Sequence, residues 1–126
     1  MRSVTREALH RQIESHRADI VRDTRALVAI QSRTGNKEKT DEALRFVIEK
    51  AKQLGMRTGY TERMDAGFAE IGSGNESVGV LVHVDVVDIG DPAGWPHDPF
   101  DLVLTEDGFL HGRGIVDDKG PVVMCL

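Results

Sequence analysis

The stretch Val78-Gly79-Val80-Leu81-Val82-His83-Val84 is apolar at every position except its glycine and its histidine. Such a run, bounded by turn residues, reads as a β-strand, and its near-continuous apolarity predicts cover on both faces. Upstream, Gly72-Ser73-Gly74-Asn75 marks a turn, and Met56 to Arg63 and Phe68 to Ile71 are extended in character. Before them the period is helical. Leu9, Ile13, Ile20 and Leu27, with His16, make one stripe that predicts a helix from Thr5 to about Ile30. A second helix is predicted from about Thr40 to Leu54. Ala43, Val47, Ala51 and Leu54 form its buried stripe with Phe46 beside it, Thr40 is its N-cap, and Gly55 is its stop. Downstream, a loop from Val87 to Phe100 holds three of the four prolines. Leu102 to Thr105 and Phe109 to His111 read as a hairpin, and a helix is expected near Lys119 with Pro121 in its first turn. This order of elements predicts a layered α/β domain, a sheet flanked by helices.

Composition narrows the function classes. The chain has 126 residues, 29% of them charged, a formal net charge of −5 and no dense Lys/Arg run, which argues against nucleic acid as a partner. No apolar run has the length of a membrane span, and the first residues lack the apolar core of a signal peptide. Cys125 is the single cysteine, so no internal disulfide can form, which fits a cytoplasmic location. Because it lies in an apolar run with no base nearby, it reads as a packed thiol. That run, Pro121-Val122-Val123-Met124-Cys125-Leu126, reads as an element interrupted partway, so residues 1–126 are expected to be a fragment.

Two constellations can carry chemistry. His83 and Asp85 are two apart on an extended segment and therefore project to the same side. They can solvate a strand end, or they can act as a metal-binding imidazole with the carboxylate that orients it. In Gly112-Arg113-Gly114-Ile115-Val116-Asp117-Asp118-Lys119-Gly120, two acids precede a helix start. They can cap that helix or offer a carboxylate to a metal. Together, His83, Asp85 and Asp117 could supply a nitrogen ligand, its orienting partner and a bridging oxygen ligand for two metal ions. His10, His16, His97 and His111 read as solvated or structural, and Trp95 as an anchor for its loop.

Taken with Gly94-Trp95, Asp98-Pro99-Phe100 and Asp107-Gly108, these motifs make residues Val78 to Gly120 resemble the dinuclear zinc peptidases and deacylases. That family includes acetylornithine deacetylase, succinyl-diaminopimelate desuccinylase, aminoacylase, carboxypeptidases and the bacterial dipeptidases. Asp117-Asp118-Lys119-Gly120-Pro121 is most similar to the dipeptidase V and Xaa-His dipeptidase branch. Two local departures are Val82, where a Gly is common, and Asp88-Ile89, where Pro-Ala or Pro-Glu is usual.

The resemblance implies that residues 1–126 are the N-terminal part of a zinc-exopeptidase-like catalytic domain. It implies His83 as a ligand of one metal, Asp117 as the bridge between two, Asp85 as the catalytic-site acid behind the His83 ring, and a cis Asp117–Asp118 peptide. The cofactor it implies is zinc, two ions, with cobalt or manganese as substitutes. The substrate is a small peptide, or an N-acyl amino acid if the protein is a deacylase. A non-catalytic α/β module is the reading from outside enzymology. The family's Glu-Glu pair, its remaining ligands and its lid and dimerisation domain are expected beyond Leu126. The fragment alone is therefore expected to be inactive and to self-associate.

Overall fold

A computed structural model describes residues 4–126. Its helices are α1 (Arg6–Ser15), α2 (Arg17–Ala29), α3 (Lys37–Gln53) and α4 (Lys119–Met124). Its strands are β1 (Arg57–Tyr60), β2 (Gly67–Glu70), β3 (Val103–Leu104) and β4 (Leu110–His111). They pair as two antiparallel hairpins, β1 with β2 and β3 with β4.

The single N-terminal helix expected from the stripe is two helices. The backbone leaves helical geometry at His16 (φ −101°, ψ 6°), which ends α1 and opens α2. The apolar stripe did not keep it straight because its N-terminal half buries nothing: Leu9 and Ile13 are about half exposed. Leu27 is fully buried and Ile20 packs beside it, so the stripe acts only in α2.

α3 starts three residues earlier than expected. Asn36, not Thr40, is its N-cap, with the Asn36 side chain accepting from Lys39 N at 3.2 Å. The Thr40 hydroxyl instead bonds back to the Asn36 and Lys37 carbonyls. Ala43 and Ala51 are buried as the pattern requires, joined by Ile48, whereas Leu54 is exposed. The helix stops at Gly55 (φ +83°), where Gly55 N donates to Lys52 O and Met56 N to Ala51 O. This paired closure needs a left-handed residue, which glycine adopts without steric cost. Lys50 reaches Asp23 at 3.0 Å and ties α3 to α2.

The main correction concerns residues 78–84. They are extended but belong to no sheet, and Val78, Val80 and Leu81 are largely exposed. Both hairpins are closed on themselves, so among the described residues no strand edge meets this segment. Among the described residues the nearest ladder contact is a parallel bridge just beyond it, Arg33 with Val86. Alternation nevertheless operates at its C-terminal end. Val82 and Val84 pack on the core and Val86 is buried, which turns His83 and Asp85 the other way. A bend at Gly74 and Asn75 leads into this segment, and the turn of the β1–β2 hairpin lies at residues 61–66.

The core is built from Leu27, Ala43, Val122 and Val123, with Ile20, Ile30, Phe46, Val47, Val82 and Val84 packed around it. The apolar run at 121–126 thus finds partners for two of its residues. Cys125, expected to be packed, is exposed because α4 turns Val122 and Val123 inward. Burying side chains of this size contributes about 1.5–3 kcal/mol each.

Candidate metal centre

His83 and Asp117 come from segments 34 residues apart, and the fold brings them together. The His83 Nε2 atom lies 2.9 Å from Asp117 Oδ1. The other ring nitrogen, Nδ1, is 3.1 Å from the Asp85 carbonyl oxygen and 3.2 Å from Asp85 Oδ1. Both neighbours of Nδ1 are acceptors, and so is Asp117 Oδ1 at Nε2, so the protonated ring donates on both sides. The imidazole is about half exposed and the Asp117 side chain is 82% exposed, so the pair opens to solvent.

Partial burial disfavours the charged ring. Hydrogen bonds to Asp117 and to the Asp85 carbonyl, with the charges of Asp118 and Asp85, outweigh it and hold the His83 pKa above the ordinary imidazole value.

Four further residues hold this arrangement. Asp118 Oδ2 accepts from the His83 backbone N at 3.1 Å, so the acid next to Asp117 grips the chain next to the ring. Ser32 donates its hydroxyl to Val84 O at 2.7 Å. Thr34 donates its hydroxyl to Asp85 Oδ2 at 2.6 Å. Lys119, fully buried, donates from Nζ to Leu27 O at 3.0 Å and Ile30 O at 2.5 Å, at the C-terminal end of α2. A cation there also meets the negative end of the helix dipole. Of these four only Asp118 had a reading from sequence, as one of two acids that could cap the helix or offer a carboxylate; it stands at the N-cap of α4 but makes no side-chain cap there and holds the His83 backbone instead. Asp118 and Lys119 were visible as charged neighbours of Asp117. Ser32 and Thr34 gave no signal, because their partners lie about fifty positions away.

The backbone around Asp117 is also constrained. The Asp117–Asp118 peptide is cis. Gly120 sits where an added Cβ would lie 2.1 Å from the Ile115 carbonyl oxygen, and at Gly114 (φ +84°) it would lie 2.5 Å from Val86 Cγ1. Segment 112–120 is thus packed directly against its neighbours.

A borderline-soft dication such as zinc takes imidazole nitrogen and carboxylate oxygen together. His83 Nε2 and the exposed Asp117 carboxylate offer one of each on the same open surface, so the donor chemistry fits. Among the described residues no group of three or more His, Cys, Asp or Glu is arranged to hold a metal. The pair offers two donors, one fewer than the three protein ligands that a catalytic zinc usually takes.

The other histidines lie elsewhere. His16 contacts Gln12 and Asp19 on the exposed face of the first two helices. His97 and His111 meet edge-to-face with ring centroids 6.2 Å apart, beside a shallow cleft that Trp95 and Ile115 also line. Trp95 anchors its loop through Nε1 to Ile89 O at 2.9 Å, with the Arg113 guanidinium 5.0 Å over its ring.

Comparison with known proteins places this geometry in context. Residues 79–126 match the model of Peptidase family M20/M25/M40. Over 121 residues the chain is 36% identical to a protein named "Putative dipeptidase" from Staphylococcus haemolyticus, covering 89% of this chain and 25% of that protein. A protein of the same name from Staphylococcus aureus is 35% identical over the same shares. Among solved structures, the chain is similar to human carnosine dipeptidase 1, with a TM-score of 0.73 and 24% identity, over 93% of this chain and 28% of that one. It is also similar to the di-peptidase Dug1p from Saccharomyces cerevisiae, with a TM-score of 0.71 and 24% identity, over 90% of this chain and 29% of that one. These structural likenesses show the fold: the helices and small sheets match part of the dipeptidase architecture. The chain spans about a quarter of the length of the curated relatives it matches.

Proposed function

We propose that this chain, a relative of the M20 peptidases, supplies one wall of a two-metal dipeptidase site, and that the whole protein hydrolyses the amide bond of small peptides in the cytoplasm. The observation that supports this most is the 2.9 Å approach of His83 Nε2 to Asp117 Oδ1, with Asp85 at the far ring nitrogen. His83 would hold one metal and Asp117 both, with zinc the ion that suits the donors and cobalt or manganese its substitutes. When bound, such ions polarise the scissile carbonyl and lower the pKa of a water towards neutral.

The chain's own residues prepare the donors. His83 can offer Nε2 to a cation only while Nδ1 keeps its proton. The carbonyl and carboxylate of Asp85 accept from Nδ1 and so fix that tautomer. Asp118 holds the His83 backbone, and Lys119 anchors the following turn to α2. The general base implied by the resemblance is a Glu of a Glu-Glu pair, and no such pair occurs in residues 1–126. The chain by itself is therefore expected to be inactive. No helix among the described residues is long and apolar enough to cross a membrane.

The test is a hydrolysis assay on the whole protein that carries this sequence, with a panel of dipeptides and N-acyl amino acids. Expected results are dipeptide turnover that a chelator abolishes and zinc restores, and a loss of at least about 100-fold in His83→Ala and Asp117→Ala, since metal ligands and their partners each carry 10–100-fold or more. Turnover that survives both substitutions would exclude the assignment. Preference for N-acyl amino acids would move it to a deacylase.

A further inference from the structure

We propose that Thr34 is a positioning residue for His83, acting through Asp85: its hydroxyl fixes the Asp85 carboxylate so that the other carboxylate oxygen holds the Nδ1 side of the ring and Nε2 faces Asp117. This rests on the reading of His83 as a metal ligand. The geometry that supports it is a relay. Thr34 Oγ1 lies 2.6 Å from Asp85 Oδ2, and Asp85 Oδ1 lies 3.2 Å from His83 Nδ1. His83 Nε2 then lies 2.9 Å from Asp117 Oδ1.

A carboxylate without a donor on its second oxygen is free to turn about its terminal torsion, which is broad and two-fold. Here the second oxygen is engaged. The Thr34 hydroxyl has one proton and two acceptors in reach, Asp85 Oδ2 at 2.6 Å and the Val86 carbonyl at 3.3 Å. The charged acceptor is nearer and stronger, so the proton goes to Asp85. Thr34 is itself fixed by backbone bonds that do not involve its side chain. Thr34 N donates to Val86 O at 2.8 Å, and Val86 N donates to Ser32 O at 2.9 Å. Replacing the hydroxyl by a methyl group thus leaves the frame in place while releasing the carboxylate. The Asp85 backbone carbonyl, 3.1 Å from Nδ1, remains in every variant and is the constant against which the carboxylate is measured.

The experiment reads the His83 tautomer directly, by nitrogen-15 chemical shifts of the ring in the metal-free whole protein that carries this sequence, in an Asp117→Ala background that removes the competing acceptor at Nε2, at a pH where the imidazole is neutral. With Thr34 intact, that background is expected to hold the proton on Nδ1. Thr34→Val should move the tautomer ratio several-fold towards Nε2–H, and Thr34→Ser, which keeps the hydroxyl, should restore it. Asp85→Asn gives the reference for a lost carboxylate. An unchanged ratio in Thr34→Val, or an equal shift in Thr34→Val and Thr34→Ser, would overturn the proposal. Zinc titration of the whole protein then separates the two readings. A roughly tenfold weaker affinity in Thr34→Val extends the positioning role to the metal. A tautomer shift in a protein that binds no zinc at all keeps the relay and removes the metal assignment.

Discussion

Lys119 Nζ lies 3.0 Å from the carbonyl oxygen of Leu27, a residue 92 positions earlier in the chain. The link joins the turn that follows Asp117 to the end of α2. Replacing Lys119 with Met keeps the volume but leaves the Leu27 and Ile30 carbonyls without this donor. Each carbonyl keeps a backbone donor, Ile30 N at 3.2 Å and Ser32 N at 2.8 Å, so what is lost is hydrogen bonding from a charged group, worth about 1.5–3 kcal/mol, and urea denaturation of Lys119→Met should show a loss of that order.

The same residue gives a pH signature. Burial pushes the Lys119 pKa down to about 8, from an ordinary value of 10.5. Between those values the unfolded chain binds more protons than the folded one. The contribution of this group to stability therefore rises as pH climbs through that window. The stability of the wild type measured against Lys119→Met should increase from about pH 8 to about pH 10.5, and a flat difference would contradict the burial of a charged lysine.

His83 behaves in the opposite sense. Its pKa is raised in the folded chain, so protonation favours folding. That contribution is complete below the unfolded imidazole value and is lost as pH rises through the raised one. The stability difference between wild type and Asp117→Asn in thermal melts should shrink across that interval. Zinc affinity should move the other way and strengthen with pH, because a metal must displace the Nε2 proton.

Calorimetry with zinc should show weak binding or none in the 126-residue chain, since catalytic zinc usually takes three protein ligands and His83 with Asp117 offers two. Tight stoichiometric binding that persists in His83→Ala would show that other residues hold the ion.

Gly120→Ala tests the packing beside Asp117. The new Cβ would fall 2.1 Å from a backbone oxygen, which cannot swing aside as a side chain can. Overpacking of this kind costs about 1–3 kcal/mol or more. Gly79→Ala, with nothing within 4 Å, is the control and should stay within about 0.5 kcal/mol of wild type.

Self-association is the remaining expectation. Val78 and Leu81 are 95% and 98% exposed, and residues 77–82 make no backbone hydrogen bond among the described residues. Such an edge, apolar and unpaired, templates pairing with another chain. Light scattering over a concentration series should show oligomers in the wild type and fewer in the double variant Val80→Asp, Leu81→Lys. A monomer at high concentration would sink the idea.

Much of the fold was legible where local signals decide structure. The α3 stripe, the Gly55 stop, the β3–β4 hairpin and the helix at Lys119 each rest on a period, a turn residue or a cap within a few positions. The approach of His83 to Asp117 was legible only as two spaced motifs and the family they resemble. What stayed hidden depended on tertiary partners. The run 78–84 reads as a buried strand because its residues are apolar, yet apolarity shows what a strand would bury and not whether a neighbouring strand is at hand. The break at His16 was hidden because a stripe records spacing and not whether its first half has anything to pack against. Thr34 and Ser32 look like loop filler until the chain folds back on them.

The short segment after α2 carries bonds to Val84, Asp85 and Val86 that close loops of about fifty residues, and Lys119 closes loops of about ninety onto the end of the same helix. Closing loops of that length costs chain entropy that only the surrounding packed structure repays. His83 and Asp117 therefore hold no preset geometry in a short peptide spanning both motifs. The pairing is a property of the finished tertiary structure, and it should be lost in a single cooperative step with the core that Leu27 anchors.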